Sequence, residues 1–141
     1  MLEKLRNSGA ISDAELAAVD AEDIAAFVQS PLGERVKTNY SRLYREFSFK
    51  YMMKAAEIYP DIPGDDEIIV QGVIDAYFED ECGNIILLDY KTDKIINDSR
   101  EIAERYRAQI KYYAIALEKI IGKPVLESYI YLFDNGETIK M

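Results

Sequence analysis

From Ile102 to Ile121 apolar residues recur at 102, 106, 110, 113, 117, 120 and 121, in steps of three and four with a single step of one at the end. That spacing draws one apolar stripe along a helix running from Arg100 to Ile121, and Gly122-Lys123-Pro124 stops it. The segments on either side have the other period. Phe47, Phe49 and Tyr51 alternate with Glu46, Ser48 and Lys50, which suits a strand from Leu43. Glu67 to Phe78 and Ile85 to Lys91 are β-rich runs joined by a polar, glycine-bearing turn over 79–84, and Val125 to Phe133 is a last long strand. A long amphipathic helix set among strands restricts the chain to a layered α/β or α+β fold with a mixed sheet.

The remaining segments punctuate that core. Residues 1–8 look like the end of a helix, and Ser12-Asp13-Ala14-Glu15 is a capping box for a short helix to about Val19. Asp20 to Gln29 places Ile24, Phe27 and Val28 on one helical face, and Ser30-Pro31 suits the cap of a further helix over 31–39. Ile58 to Asp66 holds two prolines and a glycine and reads as a loop. Ile95 to Ser99 is another loop, with Asp98 or Ser99 as helix cap, and an Asn135-Gly136 turn leads to a short apolar tail. The 141 residues make one domain, with a helical lead-in over 1–40 and a sheet-and-helix core over 43–141.

Composition excludes several chemistries. There is no histidine and one cysteine, Cys82, so His-based triads, His-ligated zinc, an internal disulfide and multi-cysteine metal sites are out. No apolar run nears the ~18 residues that span a bilayer. The net charge of −9 argues against a phosphate-rich partner, although residues 87–123 carry eight basic and six acidic side chains. That local excess, concentrated on the helix from Arg100, is either a solvated face or a contact surface.

One constellation stands out. Asp75 interrupts an apolar strand, sharing parity with Gln71, Val73 and Tyr77, with Gly72, Ile74 and Ala76 facing the other way. Asp89 and Lys91, two apart in the next strand, share a face and send Tyr90 to the opposite one. A hairpin lays the strands side by side, so Asp75, Asp89 and Lys91 can converge. Burying such groups is costly. Two carboxylates and the backbone carbonyl of Tyr90 suit Mg²⁺, a hard ion that takes few protein ligands, with Lys91 as a point charge at a phosphate. An Asp–Lys ion pair at a sheet end is the other reading of the same residues.

The stretch QGVIDAYFEDECGNIILLDYKTDKI followed by RYRAQIKYYAIALE resembles the nuclease domains of the RecB family. These are PD-(D/E)xK enzymes with a restriction-endonuclease-like fold. The resemblance rests on G-x-x-D at Gly72–Asp75, D-Y-K-T at Asp89–Thr92, Q-x-x-x-Y at Gln109–Tyr113, and R-E-F-S-F at Arg45–Phe49, where Ser48 replaces the usual proline. SPLGERV near Ser30 and the YIYLF ending also fit, and together these span nearly the whole chain. The subgroup it resembles most is the C-terminal nuclease domain of AddA-type subunits of bacterial helicase–nucleases; four-cysteine iron–sulfur relatives are a poorer match.

The resemblance implies a Mg²⁺-dependent deoxyribonuclease, with Mn²⁺ as a substitute, acting as an exonuclease in double-strand-break repair. It assigns metal binding to Asp75, Asp89 and the Tyr90 carbonyl, and catalysis to these acids with Lys91. Gln109 and Tyr113 would border the site, as DNA contacts or supports of the active-site strand; a core tyrosine beside a polar helix position is the alternative. Glu46 and Thr92 are further candidates, and Glu46 could instead pair with a nearby arginine. The expected partners are DNA, helicase domains of the same parent chain and an AddB-like second subunit, in the bacterial cytoplasm and away from membranes. The family's metal-ligating histidine is expected upstream of Met1, which would leave the chain N-terminally truncated, without that first helix and impaired alone. Two other readings remain open: a catalytically silent nuclease-fold module that binds DNA or a partner protein, and an interaction domain of unrelated ancestry.

Overall fold

The computed structural model describes residues 21–141. The helix end expected over 1–8 and the Ser12-capped helix lie outside the described residues. Two short helices come first. The first, α1 (Ala21–Gln29), is followed by Ser30, whose hydroxyl donates to the Phe27 carbonyl at 2.6 Å and accepts the Gly33 N–H at 3.0 Å. That cap, with Pro31 at the first helical position, starts α2 (Pro31–Thr38).

Then follow β1 (Leu43–Lys54), a single turn α3 (Ala55–Ile58), β2 (Glu67–Glu79) and β3 (Ile85–Lys91). The turn between β2 and β3 is held by Asp80, whose carboxylate accepts the Cys82 and Asn84 N–H groups at 2.9 Å each. The long helix α4 (Ser99–Ile121) is capped by the Asp98 side chain and closed by Gly122 at φ 77°, a left-handed angle that glycine adopts without strain. The chain ends with β4 (Val125–Leu132) and β5 (Glu137–Lys140). This last strand pairs antiparallel with β4 and corrects the reading of that segment as a tail. Four residues are too few for their period to show in sequence.

The five strands form one mixed sheet in the order β1-β2-β3-β4-β5. All neighbours are antiparallel except β3 and β4, which α4 connects in parallel. Strand β3 lies at the centre and is buried from Ile85 to Tyr90, as a strand covered on both faces must be. On one face, Ile102, Ile110, Tyr113, Ala116 and Leu117 of α4 pack on Phe49, Ile74, Leu87 and Ile130. On the other, Ile24 and Phe27 of α1 and Leu32 and Val36 of α2 pack on Ala76, Phe78, Leu88, Tyr90 and Tyr131. The fold is therefore mixed α/β, with a five-stranded mixed sheet between helical layers, as a restriction-endonuclease-like fold requires.

One irregularity positions the site. Along β2, Val70 and Ile74 belong to the α4 core, whereas Ala76 and Phe78, of the same parity, belong to the α1/α2 core. Strand β1 behaves alike: Leu43 packs against the α1/α2 core, Phe49 and Met53 in the α4 core. Both inversions fall on one rung. The ladder pairs Arg45 with Ala76 and Phe47 with Ile74 and skips the step between, Glu46 with Asp75. Glu46 has φ 49°, an uncommon angle for a residue with a Cβ. The strict alternation expected along β2, with Ile74 and Ala76 on a common face, is thus corrected.

Candidate functional site

The β2–β3 ladder stops at Ala76 and Leu88. One more step in that register would set Asp75 opposite Asp89. Instead the Tyr90 N–H donates to Asp75 Oδ2 at 2.8 Å. The carboxylate takes the place of a missing ladder carbonyl and keeps a buried strand donor satisfied. In register, Glu46, Asp75 and Asp89 stand in one row across β1, β2 and β3. They do not form one cluster: among the described residues no three acidic, histidine or cysteine side chains come close enough together to hold a metal. Glu46 is exposed, and the ion pair with arginine considered for it does not form among the described residues.

Asp89 is 4% exposed. Its Oδ2 lies 2.7 Å from Lys91 Nζ, yet it is buried with no aligned hydrogen-bond donor. The two side chains share the α4 face, since Ile85 and Leu87 pack there while Ile86, Leu88 and Tyr90 pack on the other face. Tyr90 meets Phe27 edge-on at 5.3 Å in that opposite core, so only its main chain could serve the site.

Lys91 is held from three sides. Besides Asp89, its ammonium donates to Gln109 Oε1 at 3.1 Å and sits 3.8 Å from the centre of the Tyr106 ring. Gln109 in turn donates from Nε2 to the Tyr113 hydroxyl at 3.4 Å. Burial pushes the Tyr113 phenol up; Tyr112, Asp89 and Asp75 push it the same way, against a hydrogen bond from the Val73 backbone. Tyr113 therefore stays a neutral hydroxyl. Gly72, Asp75, Asp89, Lys91, Gln109 and Tyr113 form one connected patch between β2, β3 and α4.

Thr92 is exposed beyond the end of β3 and makes no side-chain hydrogen bond among the described residues. One neighbour of Lys91 is missing from the candidate site residues that the sequence suggests. Tyr106 offers its ring to the ammonium, and its hydroxyl donates to Asp93 at 3.1 Å; Asp93 also pairs with Arg105 at 3.1 Å. The signal was present, because Tyr106 lies three residues before Gln109 and seven before Tyr113, on the same helical face.

The basic excess around α4 is largely neutralised. Arg100 pairs with Asp98, Arg105 with Asp93, Arg107 with Glu104, Lys94 with Asp134 and Lys119 with Glu57. Such exposed pairs add little stability, but they leave little free charge on this helix for phosphates.

No family model matches the chain. It is 41% identical over 136 residues to the A-type subunit of the ATP-dependent helicase/nuclease of Ruminiclostridium cellulolyticum, a match covering 93% of this chain and 11% of that protein. The protein of the same name from Clostridium acetobutylicum is 42% identical over 135 residues, with the same coverages. That of Clostridium botulinum is 47% identical over 122 residues, or 84% of this chain and 9% of the relative. The chain thus spans about a tenth of the length of the relatives it matches. With identity this high over nearly all of its length, the chain belongs to the AddA family of ATP-dependent helicase/nuclease proteins, as the counterpart of one region of those proteins.

Proposed function

We propose that the chain is a metal-dependent deoxyribonuclease domain that hydrolyses phosphodiester bonds, working as an exonuclease within a helicase–nuclease for DNA repair. The observation that supports the reading is that, where the β2–β3 ladder ends, Asp89 pairs with Lys91 while Asp75 accepts the N–H of the intervening Tyr90. Among the described residues Asp89 Oδ2 is buried without an aligned hydrogen-bond donor, although the Lys91 ammonium stands 2.7 Å away, so it keeps lone pairs that a cation could take. Asp75, Asp89 and the Tyr90 carbonyl are the groups that would hold Mg²⁺ or Mn²⁺. The bound ion would supply a more acidic water and a polarised phosphate. Lys91, fixed by Gln109 and Tyr106, sets a positive charge beside the phosphate oxygens as negative charge grows on them. Helicase domains of a parent chain, an AddB-like partner protein and a bacterial cytoplasmic setting complete the proposal. Among the described residues no helix is long and apolar enough to cross a membrane.

A second reading, a silent nuclease-fold module, is favoured by the absence, among the described residues, of any cluster of three side chains that could hold a metal and by the closeness of Lys91 to Asp89. Incubating the chain with end-labelled single-stranded DNA and Mg²⁺ or Mn²⁺ separates the two. Metal-dependent cleavage that disappears in Lys91→Ala supports the nuclease. Equal cleavage by wild type and Lys91→Ala, or none at any metal concentration in a parent helicase–nuclease as well as in the chain alone, supports the silent module.

A further inference from the structure

Most of the positive charge on α4 is consumed by local ion pairs, so a nucleic acid must find its contacts elsewhere. The segment from Tyr40 to Lys50 differs from the rest of this acidic chain: it carries Arg42, Arg45 and Lys50 against a single acid, Glu46. Among the described residues these three cations are in no ion pair. The Arg42 guanidinium donates to Asn39 Oδ1 at 2.9 Å. The segment comprises the 3-10 turn Tyr40–Arg42 and the first part of β1, an edge strand.

Aromatic rings interleave with these charges. Tyr44 is 51% exposed, although its ring lies on Tyr77 with centroids 4.8 Å apart and planes 15° from parallel. This is the one stacked pair among the described ring contacts; Phe47 completes the group by meeting Tyr77 edge-on at 5.5 Å. Packing has therefore fixed one side of the Tyr44 ring and left the residue open to solvent. The backing ring, Tyr77, belongs to the same core as Leu87 and Tyr113, on the face that carries Asp89 and Lys91. It is two residues from Asp75, about 7 Å along the strand.

We propose that Tyr44, backed by Tyr77, is a stacking platform for a base of single-stranded DNA close to the acid row, with Arg42 and Arg45 meeting adjacent phosphates. A preformed flat ring costs no side-chain ordering when the base arrives, and unpaired cations beside it supply the counter-charge that single-strand binding uses. The choice of DNA rests on the nuclease reading above; the platform itself rests on the ring geometry and the unpaired cations.

The test is the anisotropy of a fluorescein-labelled oligothymidine titrated with the 141-residue chain at low salt in the presence of a chelator, so that binding is read without cleavage. Tyr44→Ala and Tyr44→Leu should each weaken binding by about 5- to 100-fold, the range for loss of one stacked base, while Tyr44→Phe stays within about twofold of wild type. Arg45→Gln should weaken binding and flatten its salt dependence, whereas Arg107→Gln should leave both nearly unchanged. Circular dichroism checks that each variant is folded. Undetectable binding by wild type, equal binding by all Tyr44 variants, or restoration by leucine would overturn the platform. Tyr44-dependent binding by a chain that cleaves neither alone nor within a parent helicase–nuclease would leave the platform standing and sink the nuclease reading; metal-dependent cleavage with Tyr44-independent binding would do the reverse.

Discussion

Gly72 lies directly beneath the ring of Tyr113: a Cβ at Gly72 would come within 2.6 Å of Tyr113 Cε1 and 2.7 Å of its hydroxyl. The ring cannot yield cheaply, since it is buried in the α4 core and meets Phe49 edge-on at 5.3 Å. Two separate pieces of the sequence, the glycine three residues before Asp75 and the tyrosine four residues after Gln109, are therefore one contact. Gly72→Ala should cost about 1–3 kcal/mol through overpacking, measured by urea denaturation, and should also lower the proposed nuclease activity by shifting Gln109 away from Lys91. An alanine variant as stable as wild type would show that Tyr113 has room the packing does not indicate.

Tyr106 should act through Lys91. Tyr106→Phe keeps the ring under the ammonium and loses only the hydroxyl bond to Asp93, so its cleavage rate should fall by less than about threefold. Tyr106→Leu removes the cation–π contact, worth roughly 0.5–2 kcal/mol, and should lower kcat by about 3- to 30-fold with KM little changed. Equal losses in the two variants would show that the hydroxyl, not the ring, positions Lys91.

Asp89 should matter to stability and to the proposed function. Asp89→Asn removes one partner of a buried ion pair and strands Lys91 beside a neutral amide, so it should destabilise the fold by up to about 3–5 kcal/mol. Under conditions where the variant is still folded, the proposed cleavage should fall by at least about 100-fold, since a proposed metal ligand is gone. A variant that keeps its activity would remove Asp89 from the site.

Acid should loosen the contact between α2 and β4. Arg35 donates to Glu127 at 2.6 Å, and Tyr129 donates to the same carboxylate at 3.0 Å. The Arg35 hydrogen bond, against opposing burial and with help from Tyr129, holds the Glu127 carboxyl below its usual value. A carboxyl depressed in the folded state contributes stability above the ordinary glutamate range and loses it as pH falls through the folded value. Glu127→Gln should cost about 0.5–1 kcal/mol near neutrality and leave stability less dependent on pH in the acid range. Parallel stability–pH curves for wild type and variant would contradict this.

Much of the fold was legible because its elements carry strong local signals. The stripe from Ile102, the Ser30-Pro31 cap and the Gly122 stop each correspond to an element boundary within a residue or two. The pairing of Asp89 with Lys91 on one face followed from a period of two. The inversion at Glu46 and Asp75 was not legible, because a glutamate at φ 49° within a strand carries no glycine or asparagine to mark it in the sequence. Strand β5 was too short to read, and the pairing of the basic residues near α4 was not legible, because several of their partners, Asp93, Asp134 and Glu57, lie outside the helix. The cage of Lys91 needed three dimensions: Tyr106 is an ordinary apolar-face residue until β3 is laid beneath it.

We propose that Asp75 and Asp89 make one divalent-metal site at the broken end of the β2–β3 ladder. Paramagnetic broadening by Mn²⁺ in amide NMR spectra of the isolated chain tests it without requiring turnover. Substoichiometric Mn²⁺ should broaden residues 74–76 and 89–91 first, and Asp89→Asn should abolish this selectivity. Broadening that begins at exposed acids such as Asp61 or Asp65, or that is unchanged in Asp89→Asn, would contradict it.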